Sequence, residues 1–122
     1  MANVLLVDDS QMVRKKLRLA LESKGHTVVE ASDGLEGLSK IEENSGFQII
    51  IADVNMPNMN GVDMCVRLRQ DKKNLNIKIF ILSAEGSPDM KLKAKDANIR
   101  AWIMKPYDTE KLLMAIEKTL SE

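Results

Sequence analysis

The chain has 122 residues, 44% hydrophobic, with 18 Lys plus Arg balanced by 18 Asp plus Glu. That length suits one compact domain over residues 1–122 with a buried core, and it leaves no room for a second. A net charge of +0 excludes a global attraction to nucleic acid or to an anionic membrane, so any partner must be recognised through local charge. The lone cysteine, Cys65, rules out an internal disulfide, reads as a small buried hydrophobe and fits a reducing cytoplasm. No apolar run approaches the ~20 residues needed to span a bilayer. No basic and apolar leader precedes the first strand pattern, so a cytoplasmic location is expected.

Val4 to Val7 is a continuous apolar run, as expected of a strand buried on both faces. Ser10 then caps a helix to about Lys24, with Val13, Leu17, Ala20 and Leu21 as its apolar stripe and Gly25 as its stop. His26 precedes the next strand, Thr27 to Ala31, and is expected to be exposed. Asp33-Gly34 turns into a helix with Leu35, Leu38 and Ile41 inward, and Phe47 to Ala52 forms a third strand closed by Asp53. Pro57, Gly61 and the Asn residues make Val54 to Gly61 a loop, with Gly61 serving the turn into the next helix. That helix runs from Val62 to about Asp71, with Val62, Cys65, Val66 and Leu68 inward. Ile77 to Leu82 is a fourth strand, and Ser87-Pro88 opens a helix with Ser at the cap and Pro in the first turn. Ala101 to Met104 is a short fifth strand. Asp108 caps a last helix with Leu112, Leu113, Ile116 and Leu120 on one side.

Five strands thus alternate with five helices, without repeats or linkers. Strict alternation implies parallel strands, right-handed crossovers and helices on both faces. The expected fold is a flavodoxin-like, doubly wound α/β sheet of order 2-1-3-4-5. In such a sheet chemistry collects at the carboxyl ends of the strands, beside the reversal of strand order. Those ends carry Asp8-Asp9, Asp53, Ser83-Ala84-Glu85 and Lys105-Pro106. Three clustered carboxylates repel one another, and a divalent cation relieves the repulsion. Hard oxygen ligands with open positions favour Mg²⁺ completed by phosphate oxygens. Phosphoryl transfer needs mainly positioning and charge stabilisation, which the metal, Lys105 and the Ser83 hydroxyl can supply. Asp53, on a central strand with an accessible loop after it, is the expected nucleophile.

The stretch Val4-Leu5-Leu6-Val7-Asp8-Asp9-Ser10, the stretch Ile51-Ala52-Asp53-Val54-Asn55-Met56-Pro57 with Gly61, then Ser83-Ala84 and Lys105-Pro106, closely resembles the response-regulator receiver family over the whole chain. A chemotaxis receiver is itself a type example of the 2-1-3-4-5 order, so fold and resemblance are one expectation and not two. The resemblance implies that Asp53 is the phosphoacceptor and that Asp9 ligates Mg²⁺ directly, with Asp8 acting through water or as an orienting group. It further implies that the Asn55 backbone carbonyl ligates the metal, Ser83 is the switch hydroxyl and Lys105 holds the phosphoryl group. By the same resemblance Pro106 matches a proline that in the family often follows a cis bond, which aims the lysine. Trp102 stands where the family usually has Tyr or Phe, a departure that leaves both a switch role and ordinary packing open. Asn55 and Glu85 match positions that tune autodephosphorylation in chemotaxis receivers, with plain exposure as the other reading.

The resemblance also implies partners: a histidine kinase as phosphodonor, an output protein such as the flagellar motor switch, and a phosphatase, with no nucleic acid and no membrane, and a monomeric state. Lys91, Lys93 and Lys95 on the fourth helix, with Lys111 and Lys118 on the fifth, form either a solvated face or a basic output face suited to an acidic peptide. A phosphorelay carrier passing its phosphoryl group to a histidine phosphotransfer protein would share the same chemistry. A flavin carrier on this fold needs a Ser/Thr/Gly-rich phosphate loop where the chain has Asp8-Asp9-Ser10-Gln11. An aspartate-nucleophile phosphatase needs Asp-x-Asp where the acids here are adjacent. The chain is therefore expected not to act as an enzyme beyond its own phosphorylation and dephosphorylation.

Overall fold

The computed structural model describes residues 1–84 and 88–122. Glu85 and Ser87, and with them the expected dephosphorylation and capping roles, lie outside the described residues. Five strands, β1 (Asn3–Val7), β2 (Thr27–Ala31), β3 (Ile49–Asp53), β4 (Lys78–Ser83) and β5 (Ala101–Met104), form one parallel sheet of order β2-β1-β3-β4-β5. Helices α1 (Gln11–Glu22), α2 (Gly34–Glu43), α3 (Gly61–Leu68), α4 (Pro88–Lys95) and α5 (Thr109–Leu120) alternate with them. This is the doubly wound order expected from the alternation. Among the described residues no helix is long and apolar enough to cross a membrane.

The central strands are apolar throughout because both of their faces are covered. Alternate residues feed two cores. Leu5, Val7, Ile50, Ala52, Ile79 and Ile81 pack with α2 and α3 residues such as Ile41, Met64 and Cys65. Val4, Leu6, Ile49, Ile51, Phe80 and Leu82 pack with Leu17 and Leu21 of α1 and with Leu112, Leu113 and Ile116 of α5. Each fully buried Leu or Ile contributes about 1.5–3 kcal/mol relative to exposure.

Helix starts follow local chemistry. Ser10 accepts from the Val13 N–H at 3.2 Å, and Asp33 accepts from the Glu36 N–H at 2.8 Å. Asn60 accepts from the Asp63 N–H, and Asp108 from the N–H groups of Glu110 and Lys111. α3 begins one residue earlier than expected and closes at Leu68, followed by a short 3₁₀ turn at Lys72–Asn74. Just past its end the Arg69 guanidinium donates to the carbonyls of Asn74, Ile77, Ala97 and Asn98.

Several side chains sit elsewhere than the sequence suggested. Leu35 is exposed, and the neighbouring turn of α2 instead brings Gly37 against Met64 and Val7, where an added Cβ would lie 2.6 Å from the Met64 sulfur. On α3 Met64 is fully buried beside Val62 and Cys65, and Val66 packs against the same core while partly buried. His26 is buried rather than exposed. The Ala2 N–H donates to its Nδ1 at 3.1 Å, which leaves Nε2 to donate to Glu117 Oε1 at 2.6 Å.

Candidate functional site

β1 and β3 are hydrogen-bonded neighbours with Val7 opposite Ala52, so their next residues, Asp8 and Asp53, emerge side by side at the carboxyl edge. Asp8 and Asp53 are buried and Asp9 is exposed, yet one carboxylate oxygen of each lies within 4.8 Å of the other two. From β5, Lys105 reaches back over this group, with Nζ 3.2 Å from Asp53 Oδ1 and 3.9 Å from Asp8 Oδ2. Its backbone is placed by the Lys105 N–H donating to the Ser83 carbonyl at 2.7 Å and by the cis bond to Pro106. Ser83 closes β4 opposite Met104 and is fully buried. The strand order therefore brings together residues from four separate stretches of sequence.

Asp8 shows the electrostatic tension in this arrangement. Its Oδ1 accepts from the Ser10 N–H at 2.8 Å, while Oδ2 is buried with no hydrogen-bond partner. Burial pushes its carboxyl above the usual carboxylate range, and the negative charges of Asp53 and Asp9 add to this. The Ser10 N–H and the Lys105 ammonium pull the other way. A buried carboxylate oxygen with no hydrogen-bond partner among the described residues, beside two further carboxylates, is the donor set that a hard divalent cation satisfies, so Asp8, Asp9 and Asp53 fit such an ion.

Gly61 is held tighter than a turn residue needs to be. Its N–H donates to the Val54 carbonyl, and a Cβ at this position would lie 2.1 Å from the Asp53 carbonyl oxygen. Only glycine lets the start of α3 close onto the strand that carries Asp53. Asn55 is exposed in the loop between them. That loop is fastened to the start of α2, where Asn58 Nδ2 donates to Asp33 Oδ2 at 2.7 Å and the Gly34 N–H to the Met59 carbonyl at 3.0 Å.

A family model for the response regulator receiver domain matches residues 4–117. The chain belongs to the response regulator receiver family. It is 32% identical over 118 residues to the chemotaxis protein CheY1 of Helicobacter pylori, covering 96% of this chain and 95% of that protein. It is also 29% identical over 116 residues to the chemotaxis protein CheY of Pseudomonas aeruginosa, covering 94% of this chain and 93% of that one. Among solved structures, the chemotaxis protein CheY4 of Vibrio cholerae superposes with a TM-score of 0.88 at 36% identity, covering 97% of this chain and 98% of that one. A CheY-like receiver domain protein from Methanospirillum hungatei gives a TM-score of 0.90 at 27% identity, covering 99% and 94%. The chain is a CheY-like receiver of two-component signalling, a signalling protein whose family implies a histidine-kinase phosphodonor and an output partner.

In this receiver Trp102 sits mid-way along edge strand β5, opposite Ile81 and half-buried against the core shared with α3 and α4. Its indole Nε1 is buried without a hydrogen-bond partner, and Lys91 of α4 lies 5.9 Å from the ring centroid, a cation–π distance. Three residues around the site were not singled out from the sequence. Tyr107 is half-buried, and burial, with the charges of Asp8 and Asp53, raises its phenol. Its place directly after Lys105-Pro106 was the available signal. Asp63 in the first turn of α3 pairs with Lys93 of α4 and accepts from Asn60 Nδ2 at 3.0 Å, which ties the loop after Asp53 to the fourth helix. Arg14, one helical turn beyond Ser10, donates to the Asp8 carbonyl. No periodicity argument distinguishes it from a solvated arginine.

Proposed function

We propose that this receiver takes a phosphoryl group on Asp53 in a Mg²⁺-dependent reaction. The observation that carries the reading is the Lys105 ammonium 3.2 Å from Asp53 Oδ1, set against a group of carboxylates whose oxygens lie within 4.8 Å of one another. An Asp53 oxygen attacks the phosphorus of a kinase phosphohistidine. The O–P bond forms as the P–N bond breaks, and the leaving imidazole keeps the electron pair and takes up a proton. Asp9 and Asp53 would hold the cation with the Asn55 backbone carbonyl, and Asp8 would orient it. When bound, Mg²⁺ supplies positive charge to the transferring phosphoryl oxygens. Lys105 donates to another of these oxygens, and the Ser83 hydroxyl to a third. Pro106 and Gly61 hold Lys105 and the Asp53 strand in place. The chain is not an enzyme acting on other molecules.

Phosphorylation draws Ser83 and Lys105 toward the new oxygens, and the response passes through Trp102 to the face made by α4, β5 and α5. Three cations, Lys91, Lys95 and Arg100, line a groove of about 390 Å³ beside Trp102. That charge suits an acidic segment of an output protein. Two relatives are named for chemotaxis and match this chain over nearly their whole length. They support a stand-alone chemotaxis receiver, which we read as a cytoplasmic monomer whose partner is the flagellar motor switch. Beryllofluoride with Mg²⁺ is expected to change Trp102 fluorescence in the wild type and not in Asp53→Asn. An unresponsive wild type, or an equal response in the variant, overturns the assignment of Asp53. Rapid back-transfer to a histidine phosphotransfer protein, without motor-switch binding, would replace the chemotaxis role with that of a relay carrier.

A further inference from the structure

Asp9 presents a problem of aim. Its carboxylate is exposed and makes no hydrogen bond or ion pair among the described residues, yet it lies with the buried oxygens of Asp8 and Asp53. A side chain without partners is directed by its backbone, and here the deciding unit is the Asp8–Asp9 peptide. The preceding Val7–Asp8 peptide is pinned by the Asp8 N–H donating to the Ala31 carbonyl of β2 at 3.1 Å. The carbonyl side of the Asp8–Asp9 unit is pinned by Arg14, whose Nη1 donates to the Asp8 oxygen at 2.6 Å. Arg14 is itself held from a second direction, its Nε donating to Glu30 Oε1 at 3.0 Å. Glu30 lies on β2 opposite Leu6, and its other oxygen is 3.0 Å from Arg18 Nε. The Arg14 side chain is only 16% exposed, so the fork is sheltered from competing water. A planar guanidinium can serve a carbonyl and a carboxylate at once in fixed geometry, which a single ammonium cannot do.

We propose that Arg14 is a positioning residue for cation binding. By clamping the Asp8 carbonyl between helix α1 and strand β2, it fixes the Asp8–Asp9 peptide and so aims the Asp9 carboxylate into the cluster. The inference rests on the reading of Asp8, Asp9 and Asp53 as a Mg²⁺ site. Groups that orient metal ligands from behind typically change metal affinity 10- to 100-fold when removed. The test is Mg²⁺ titration of the unphosphorylated full chain, followed by Trp102 fluorescence and by the Asp9 amide resonance, with urea unfolding of the metal-free protein alongside. Arg14→Met is expected to raise the Mg²⁺ dissociation constant about 10-fold. Arg14→Lys is expected to recover part of that loss, and Glu30→Gln to weaken binding in the same direction by less. A folded Arg14→Met with wild-type Mg²⁺ affinity overturns the proposal, even if its urea midpoint has fallen, because a merely structural role moves only the midpoint. Should Arg14→Met not fold, unchanged affinity in both Arg14→Lys and Glu30→Gln overturns it equally. A wild type that binds no Mg²⁺ would instead overturn the cluster reading.

Discussion

Gly61 shows how one missing methyl group shapes this site. Its Cα packs so closely on the Asp53 peptide that an alanine Cβ would lie 2.1 Å from the carbonyl oxygen, 3.0 Å from the carbonyl carbon and 3.4 Å from Ala52 Cβ. The obstacle is backbone in a central strand, which cannot swing aside as a long side chain can. Gly61→Ala is therefore expected to destabilise the fold by about 1–3 kcal/mol through overpacking. It should also slow the proposed phosphorylation, because relief of the clash displaces the peptide of Asp53, the proposed acceptor. Thermal melting and a phosphorylation time course check both effects, and a variant as stable and as fast as the wild type contradicts the account. Asp8 carries tension of a different kind, a buried oxygen with no hydrogen-bond partner among the described residues, which suits a cation and costs stability without one.

The ends of the helices decide how the loops around the site are held. Asp33 caps α2 through the Glu36 N–H and also receives Asn58 from the loop that follows Asp53. These hydrogen bonds, the one from Glu36 foremost, hold its carboxyl below the ordinary value of 3.8. A depressed folded-state value means that the stabilisation is present above 3.8 and is lost as pH falls through the lower, folded value. Loss of the cap in Asp33→Ala is expected to cost about 1 kcal/mol at neutral pH. The deficit should shrink as pH falls below 3.8, which urea midpoints at neutral and acid pH will show. Helix α4 is anchored less firmly than its neighbours. Within it only Ala94 is buried, Leu92 faces solvent, and Lys93 to Asp63 and Lys91 to Trp102 are its polar ties. A helix with so little apolar area is the element that a small change at the sheet edge can shift.

Across the whole molecule, the sheet sets the chemical end and remote contacts close the other. At the opposite end, His26 joins the start of β1, through Ala2, to the last turns of α5, through Glu117. Removing it leaves the Ala2 N–H buried without an acceptor and opens a cavity. His26→Ala is expected to cost about 2–3 kcal/mol in urea unfolding while leaving Mg²⁺ affinity unchanged. Equal loss of both would mean that the two ends are energetically coupled. The acidic cluster is held from neighbouring elements instead, by Arg14 of α1 on the Asp8 carbonyl and by Lys105 on Asp53. Its three carboxylates share one edge because β1 and β3 are adjacent, and Lys105 comes from the far strand β5.

Much of this was legible in the chain itself. Apolar runs such as Val4 to Val7 and Phe47 to Ala52 mark strands covered on both faces, and Ser10 and Asp108 mark helix starts through their own side-chain oxygens. Alternation then fixes a parallel sheet and places Asp8, Asp9, Asp53, Ser83 and Lys105 at one edge of it. Periodicity could not say that Leu35 would face solvent while Gly37 met Met64, because a helical stripe names a face and not its neighbours. Nor could it find His26 or Arg14, whose partners Glu117 and Glu30 lie 91 and 16 residues away. Local hydrophobic and capping signals thus determined the elements and their order. Only the tertiary structure decided which polar groups are buried and paired, because burial and pairing depend on residues distant in sequence that packing brings together.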